Sequence, residues 1–268
     1  FRTREPVLSA TGKARVTGDV MGRFASSNLE MTGGVSVNVG LKKWAFLTVL
    51  SYSNFDDLRE GIVQNPFYEG FGERHWYVDR INGVDSTIGN PDWWVQKQSG
   101  YSQYNIMEKV LFQPSSKLRF TLNFQFSNSS DIPRYDRLTE WDSAAGHPVY
   151  AEWYYGPQTR LFGSLKADLL GKNKVYDQGS VIIAYQNISE DRFNRKLNKS
   201  KLKNNLETVD VFSLNADFMK KLAKKDDLRY GVELVYNNVG SVAYNSDIKT
   251  GEKFYDLATR YPDDKANM

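Results

Sequence analysis

KLRFTLNFQFS, residues 117–127, is the most informative stretch of this chain. Leu118, Phe120, Leu122, Phe124 and Phe126 share one parity, and Arg119, Thr121, Asn123, Gln125 and Ser127 share the other. Successive side chains of a strand point to opposite sides, so this strand has one large aromatic face and one face with no apolar residue. Two environments suit it. The apolar face can pack against a second sheet in a soluble sandwich. Alternatively it can meet lipid, while the polar face lines a water-filled or plugged lumen.

On either side of it strands recur at residues 13–26, 34–41, 44–54, 101–113, 159–170, 180–190, 209–219 and 228–238, about nine in all, with the alternation blurred at 44–54 by Leu47 and Val49 and less clean at 180–190. Tight turns fall at Lys42-Lys43, Pro114-Ser115-Ser116, residues 171–178 and residues 220–227. Apart from a brief connection at residues 28–32, the others are long: 55–100, 128–158 and 191–207, with 239–268 as the start of another loop. Every second connection is therefore short, which puts the tight turns at one end and the long loops at the other. Up-and-down membrane barrels have this asymmetry, with short periplasmic turns and longer extracellular loops. A Greek-key sandwich has no reason to keep it. The fold class expected is all-β, an antiparallel up-and-down meander. An odd strand count does not close a bacterial barrel, so the chain reads as a slice of a larger one. Glu108 falls on the apolar parity of its strand, which a lipid-facing surface does not explain.

Composition narrows the function classes. The chain has 268 residues, no Cys and a net charge of +3. Without Cys there is no disulfide framework, thiol catalysis or thiolate zinc site. The basic excess is too small to suggest a nucleic-acid partner. Mean hydropathy is −0.56, and no apolar run is long enough for a transmembrane helix. Barrel strands are only half apolar, so that average leaves a barrel open. Aromatic residues make up 14% of the chain, with 16 Tyr, 15 Phe and 6 Trp. Membrane girdles and sugar-stacking platforms would both use them.

Three stretches carry a resemblance to a known family. GLKKWAFLTVLSYSNFDDLREG (residues 40–61), YSQYNIMEKVLFQPSSKLRFTLNFQFSNSSDIPRYDRLTE (101–140) and AEWYYGPQTRLFGSLKADL (151–169) resemble the barrel of TonB-dependent outer-membrane receptors of the Bacteroidetes type. FRTREP (1–6) is similar to the segment just after the plug domain in such receptors. The resemblance implies a 22-stranded transmembrane barrel, of which residues 1–268 are a fragment of one domain. It implies placement in the outer membrane among lipid and lipopolysaccharide, and uptake driven through TonB of a scarce nutrient such as a siderophore, haem, cobalamin or oligosaccharide. Two other functions compete on the residues alone: a non-energised porin or adhesin, and a soluble secreted glycan-binding sandwich. The sandwich gains ground if the long loops hold strands that complete a second sheet.

Catalytic chemistry finds little support. His75 and His147 are isolated in loops, and GFGERH (70–75) is not a dinucleotide fingerprint. No cofactor is expected. The candidate binding residues for a small-molecule or glycan ligand are loop aromatics: Trp76, Trp93, Trp94, Trp141, Trp153, Tyr154 and Tyr155. The same rings could instead form a membrane girdle or pack the loops together. RKLNKSKLK (195–203) reads as a solvated hairpin loop, with lipopolysaccharide phosphates as an alternative contact. Arg15, Asp19, Arg23, Arg119, Arg160, Lys166, Asp168, Arg229 and Glu233 are expected to line the lumen.

Overall fold

The computed structural model describes residues 3–63, 66–223 and 226–261, with the backbone of 265–267. Lys224 and Lys225 of the fourth tight turn, the first two residues of the lead and most of the expected final loop's end lie outside the described residues. Arg15–Ala25 (β1), Glu30–Gly40 (β2) and Trp44–Phe55 (β3) open the chain. Leu58–Arg59 (β4), Trp76–Ile81 (β5), Val84–Gly89 (β6) and Val95–Gln96 (β7) lie in the first long connection. Tyr101–Ser115 (β8) and Leu118–Ser129 (β9) form the next hairpin. Ile132–Pro133 (β10), one helical turn at Tyr135–Leu138 (α1), Trp141–Asp142 (β11), His147–Pro148 (β12) and Tyr150–Tyr155 (β13) fill the second connection. Thr159–Leu169 (β14), Gln178–Ser189 (β15), Arg192–Lys196 (β16), Lys201–Lys221 (β17), Asp227–Asp247 (β18) and Lys253–Phe254 (β19) complete it, with a short final pairing at residues 265–267.

Nine strands form the expected meander, in the order β1, β2, β3, β8, β9, β14, β15, β17 and β18, each antiparallel to the next. The registers are long and nearly unbroken. Leu118 of β9 faces Leu169 of β14 and Asn128 faces Thr159, with every residue between them paired. Such registers hold parity from strand to strand. Val20, Val35, Leu50, Ile106, Phe126 and Leu161 therefore line up across six strands on one face. That face is apolar and uncovered: Val20 is 87% exposed, Leu122 51% and Leu234 58%. Among the described residues no second sheet packs on it. The smaller sheets are the two-stranded pairs β4–β7, β5–β6 and β11–β12. The long loops do hold strands, then, but they do not build the second layer that a sandwich requires. The sheet does not close, because β1 and β18 are not paired with each other.

Aromatic residues bracket the apolar band at both ends. Toward the tight turns, Trp44 stacks on Phe112 at 4.2 Å and Phe218 on Tyr230 at 5.4 Å. Toward the long loops, Tyr104 meets Phe126 at 5.9 Å and Tyr185 meets Phe212 at 4.9 Å. Trp44 and Tyr52 are eight residues apart on one strand. At about 3.3 Å per residue that is about 26 Å of strand, or about 20 Å of height at the usual tilt, close to the apolar band of an outer-membrane barrel. Glu108 sits four residues from Phe112 and four from Tyr104, midway up the band. Thr48, directly across the ladder, donates its hydroxyl to Glu108 Oε2 at 2.5 Å.

The opposite face is polar, and the N-terminal lead lies across it. The Val7 N–H donates to Asn38 Oδ1 at 2.8 Å, and Asn38 Nδ2 returns a bond to the Val7 carbonyl at 3.0 Å. Lys109, buried on this face, pairs with Glu5 at 2.8 Å. Arg4 pairs with Asp19 and donates to Ser36 Oγ at 2.9 Å. The lead runs so close to β2 that a Cβ on Gly40 would sit 2.5 Å from the Val7 carbonyl oxygen, so only glycine fits there.

Three expectations about the loops are corrected. Residues 191–207 are not a loop: Arg192–Lys196 is a strand, and β17 already begins at Lys201. Residues 239–247 continue β18 instead of opening a loop. The first long connection holds a regular hairpin, β5–β6. The physical reason is the same in each case. Outside the apolar band, strands lose the alternation that marks them in sequence, because no continuous apolar face runs along them there. β17 and β18 run for 21 residues each and rise beyond the band.

Candidate functional site in the loop cap

Opposite β18, the other edge of β17 serves two neighbours. Its later half pairs with β15, and its first part pairs with β16. β16 in turn pairs with β13, and β13 with β10. The upper sheet thus continues the wall after a break at Glu190 and Asp191. At that break the Gly156 N–H donates to the Asp191 carbonyl at 2.9 Å, and the Glu190 N–H to the Glu207 carbonyl at 3.0 Å. A Cβ on Gly156 would meet the Phe193 ring at 2.5 Å, so the residue must be small.

The β5–β6 hairpin turns through Asn82 and Gly83, at φ 50° and 81°. Two successive positive φ values suit a type I′ turn and favour Asn-Gly. The hairpin brings Val78 against Ala151 of β13 and Leu197, with Trp76 packed alongside. Above this small core sits a buried charge network. Arg195 is 1% exposed and grips Asp85 with both terminal nitrogens, at 2.6 and 2.9 Å. Its Nε donates to Glu152 Oε1 at 2.9 Å, and Nη1 also donates to the Lys199 carbonyl at 2.8 Å. Arg80 adds a second bond to Asp85 at 2.9 Å, and the Asn198 N–H a third partner at 2.8 Å. Burial by itself pushes the Asp85 carboxyl up. The Arg195 fork, the Asn198 N–H and Arg80 outweigh it and hold the group below its ordinary range. One arginine thereby ties three separate loops together.

The reading of residues 195–203 as a solvated hairpin loop is therefore corrected at its first residue. Arg195 is among the most buried side chains among the described residues, and Leu197 belongs to the core of the cap. Lys196, Lys199 and Lys201 are exposed, as a solvated run would have them. Sequence reasoning missed Asp85, Glu152 and Arg195 as a unit. The available signals were the Asn82-Gly83 turn and the single leucine inside a basic run.

The loop aromatics are joined in pairs. Trp76 meets Trp141 at 5.1 Å, Trp153 meets Tyr155 edge-on at 5.3 Å, and Tyr154 stacks on Phe193 at 5.0 Å. Trp93 meets His75 at 4.2 Å, and His75 also lies 3.1 Å from Glu73. Trp94 uses its carbonyl to accept the Glu60 N–H at 2.8 Å. Trp153 is buried with the Arg134 guanidinium 4.7 Å above its ring, whereas Trp93 is 50% exposed and Trp141 also open to solvent. Burial, with nearby Asp131 and Glu152, pushes the Tyr154 phenol up to about 12, so it stays a hydrogen-bond donor at neutral pH. Deeper in the cap, Arg74 is buried with its Nη1 unpartnered among the described residues, and burial pulls its guanidinium down to about 10, with Asp57 opposing. Among the described residues no three His, Asp or Glu side chains gather in a way that could hold a metal ion.

No family model matches the chain, and no curated protein does. Among solved structures, it is similar to a chain named copper transporter OprC, with a TM-score of 0.62 and 13% identity. The match covers 96% of this chain and 33% of that one, so this chain spans about a third of its neighbour's length. At that identity the likeness bears on fold: a partial, open sheet of the outer-membrane barrel type.

Proposed function

We propose that the chain is one wall of a TonB-dependent outer-membrane receptor barrel that takes up a scarce ligand through its lumen. One observation carries the proposal. The sheet has an exposed apolar face bracketed by aromatics, and an opposite polar face on which the N-terminal lead is bonded. A surface of that size and apolarity is costly in water, at roughly 25 cal/mol per Å², and finds its partner in lipid. Among the described residues the outer edges of β1 and of residues 227–237 of β18 carry no paired strand, which fits a fragment of one barrel domain. The lead on the polar face fits a connection to a plug. The cap at the loop end fits the extracellular mouth, where Trp93, Trp141 and their neighbours would meet the ligand and lipopolysaccharide would lie alongside.

The Bacteroidetes type rests on residues 40–61, 101–140 and 151–169. The ligand stays at the level of class: siderophore, haem, cobalamin or oligosaccharide. The copper in OprC's name is said of that protein and is not proposed for this chain. No catalytic role is proposed.

The test is fractionation followed by uptake. The protein is expected in the outer-membrane fraction, extractable only with detergent. Cells lacking it should lose import of its ligand, and a protonophore should abolish that import in cells that have it. Recovery of a monomer from the aqueous fraction without detergent would overturn the barrel. Import that persists under the protonophore would point to a non-energised porin.

A further inference from the structure

The polar face of the wall carries a hollow of about 460 Å³ beneath the N-terminal lead. Arg4, Ser36, Ser51, Asn105, Gln125 and Arg160 line it together with the apolar residues Val49 and Met107, and among the described residues no carboxylate does. Its two guanidinium groups differ. Arg4 is neutralised by Asp19. Arg160 forms no ion pair among the described residues. Its Nε donates to Gln186 Oε1 at 2.8 Å, its Nη1 donates to Gln125 Oε1 at 3.2 Å, and its guanidinium lies 5.2 Å over the Phe162 ring.

These contacts fix the group without discharging it. Both oxygen partners are neutral amides, and Nη2 makes no hydrogen bond among the described residues. The amide neighbours are already occupied, and Ser127, whose side chain makes no hydrogen bond among the described residues, is neutral. Asn105 Nδ2 donates to Ser51 Oγ at 3.2 Å, Gln103 Nε2 donates to Asn105 Oδ1 at 3.0 Å, and Gln125 Nε2 donates to Asn123 Oδ1 at 3.3 Å. The unmet group in the hollow is therefore a positive, planar, rigidly held donor. Arg195 shows the contrast within the same chain: its fork is filled by two carboxylates. A guanidinium fork is matched in shape and charge by a carboxylate or phosphate.

We infer that this hollow is an anion site, with Arg160 as the binding residue, and that it takes a carboxylate or phosphate group. The group belongs either to the transported ligand or to another segment of the same protein seated in the barrel. The inference rests on the barrel reading, since only there is this face enclosed.

The experiment uses the full-length protein in detergent, titrated calorimetrically with inorganic phosphate and with citrate, alongside thermal melts. Wild type, Arg160→Gln, Arg160→Lys and the remote surface control Lys249→Gln are compared. If the source is a free ligand, wild type and Lys249→Gln bind a probe anion and Arg160→Gln binds it about tenfold or more weakly, a difference of about 1.4 kcal/mol. Arg160→Lys should fall between, because it keeps the charge and loses the fork. If the source is the protein itself, the probes do not bind wild type, and Arg160→Gln melts several degrees lower while Lys249→Gln does not. Probe binding that survives unchanged in Arg160→Gln overturns the site. So does the absence of both probe binding and a melting shift. Import assayed in cells reports on the barrel reading separately. Import that does not depend on the protein, with intact anion binding, fails the transporter alone, and protein-dependent import without an anion site fails this inference alone.

Discussion

The wall and the cap of this molecule are both β-structure, yet they are held together by opposite means. In the wall most strands repeat one rule, apolar outward and polar inward with a neighbour in long register, although Leu47 and Leu111 place apolar side chains on the inward face. Its interactions are many, similar and local to adjacent strands. In the cap the strands are short, and a few unlike contacts between distant parts of the chain hold them. Asp85 and Arg195, joined by two hydrogen bonds, are 110 residues apart. Damage to a repeated structure is shared among its neighbours, whereas damage to a single tie is concentrated.

The largest expected effect is therefore in the cap. Arg195→Ala leaves Asp85 buried without its main partner, and breaking a buried pair in this way costs about 3–5 kcal/mol. Hydrogen exchange should rise sharply in β5–β6 and β13 while the amides of β9 and β14 keep their protection. Equal loss in both regions would mean that cap and wall are one cooperative unit, and the contrast between them would fail.

Next comes the wall, where the face matters more than the residue. Leu122→Arg puts a charge on the apolar band and is expected to cost about 2–4 kcal/mol in a bilayer. Asn123→Arg, one position along, faces the polar side and should cost little. Unfolding by denaturant in liposomes measures both. Equal costs would remove the assignment of the two faces.

A smaller effect distinguishes the regions by pH. Asp85 is held below its ordinary value of 3.8 in the folded cap, so it binds a proton more readily when the cap is open. The stability it contributes is fully present above the unfolded value and is lost as pH falls through the lower folded one. Exchange in β5–β6 should quicken as pH drops below about 3.8, after correction for the intrinsic rate. In Asp85→Asn that added dependence should vanish.

The two regions also differ in how far the sequence discloses them. All nine wall strands are legible, because one apolar and one polar face impose a period of two that survives in most of them, though it is blurred in β3 by Leu47 and Val49 and less clean in β15. β17 is legible only over residues 209–219, its part within the band. The residues on either side of its start, 191–207, look like a basic loop, since above the band both faces meet water or protein and the period disappears. The Arg195 network is illegible for a different reason. No local pattern marks which of several arginines will meet an aspartate more than a hundred residues away. The loop aromatics are visible as a class, but their pairing into Trp76–Trp141 and Trp153–Tyr155 depends on the same long-range folding.

Glu108 marks the limit of the wall's regularity, and it offers the finest test of the contrast. It breaks the alternation at mid-height, where among the described residues its hydrogen-bond partner is the Thr48 hydroxyl. In a wall made of many similar contacts, a single polar defect should be tolerated, and its removal should help. Glu108→Leu restores the apolar row between Ile106 and Val110, and by the depth dependence of acidic residues in barrels it should stabilise by about 1 kcal/mol in a bilayer. Thr48→Val alone should do the reverse, because it strips the carboxyl of its hydrogen bond in an apolar setting. The double variant should match Glu108→Leu. If Glu108→Leu instead destabilises the protein or disrupts an assembly, this stretch of the face does not meet lipid, and the carboxyl answers to a partner that lies against it.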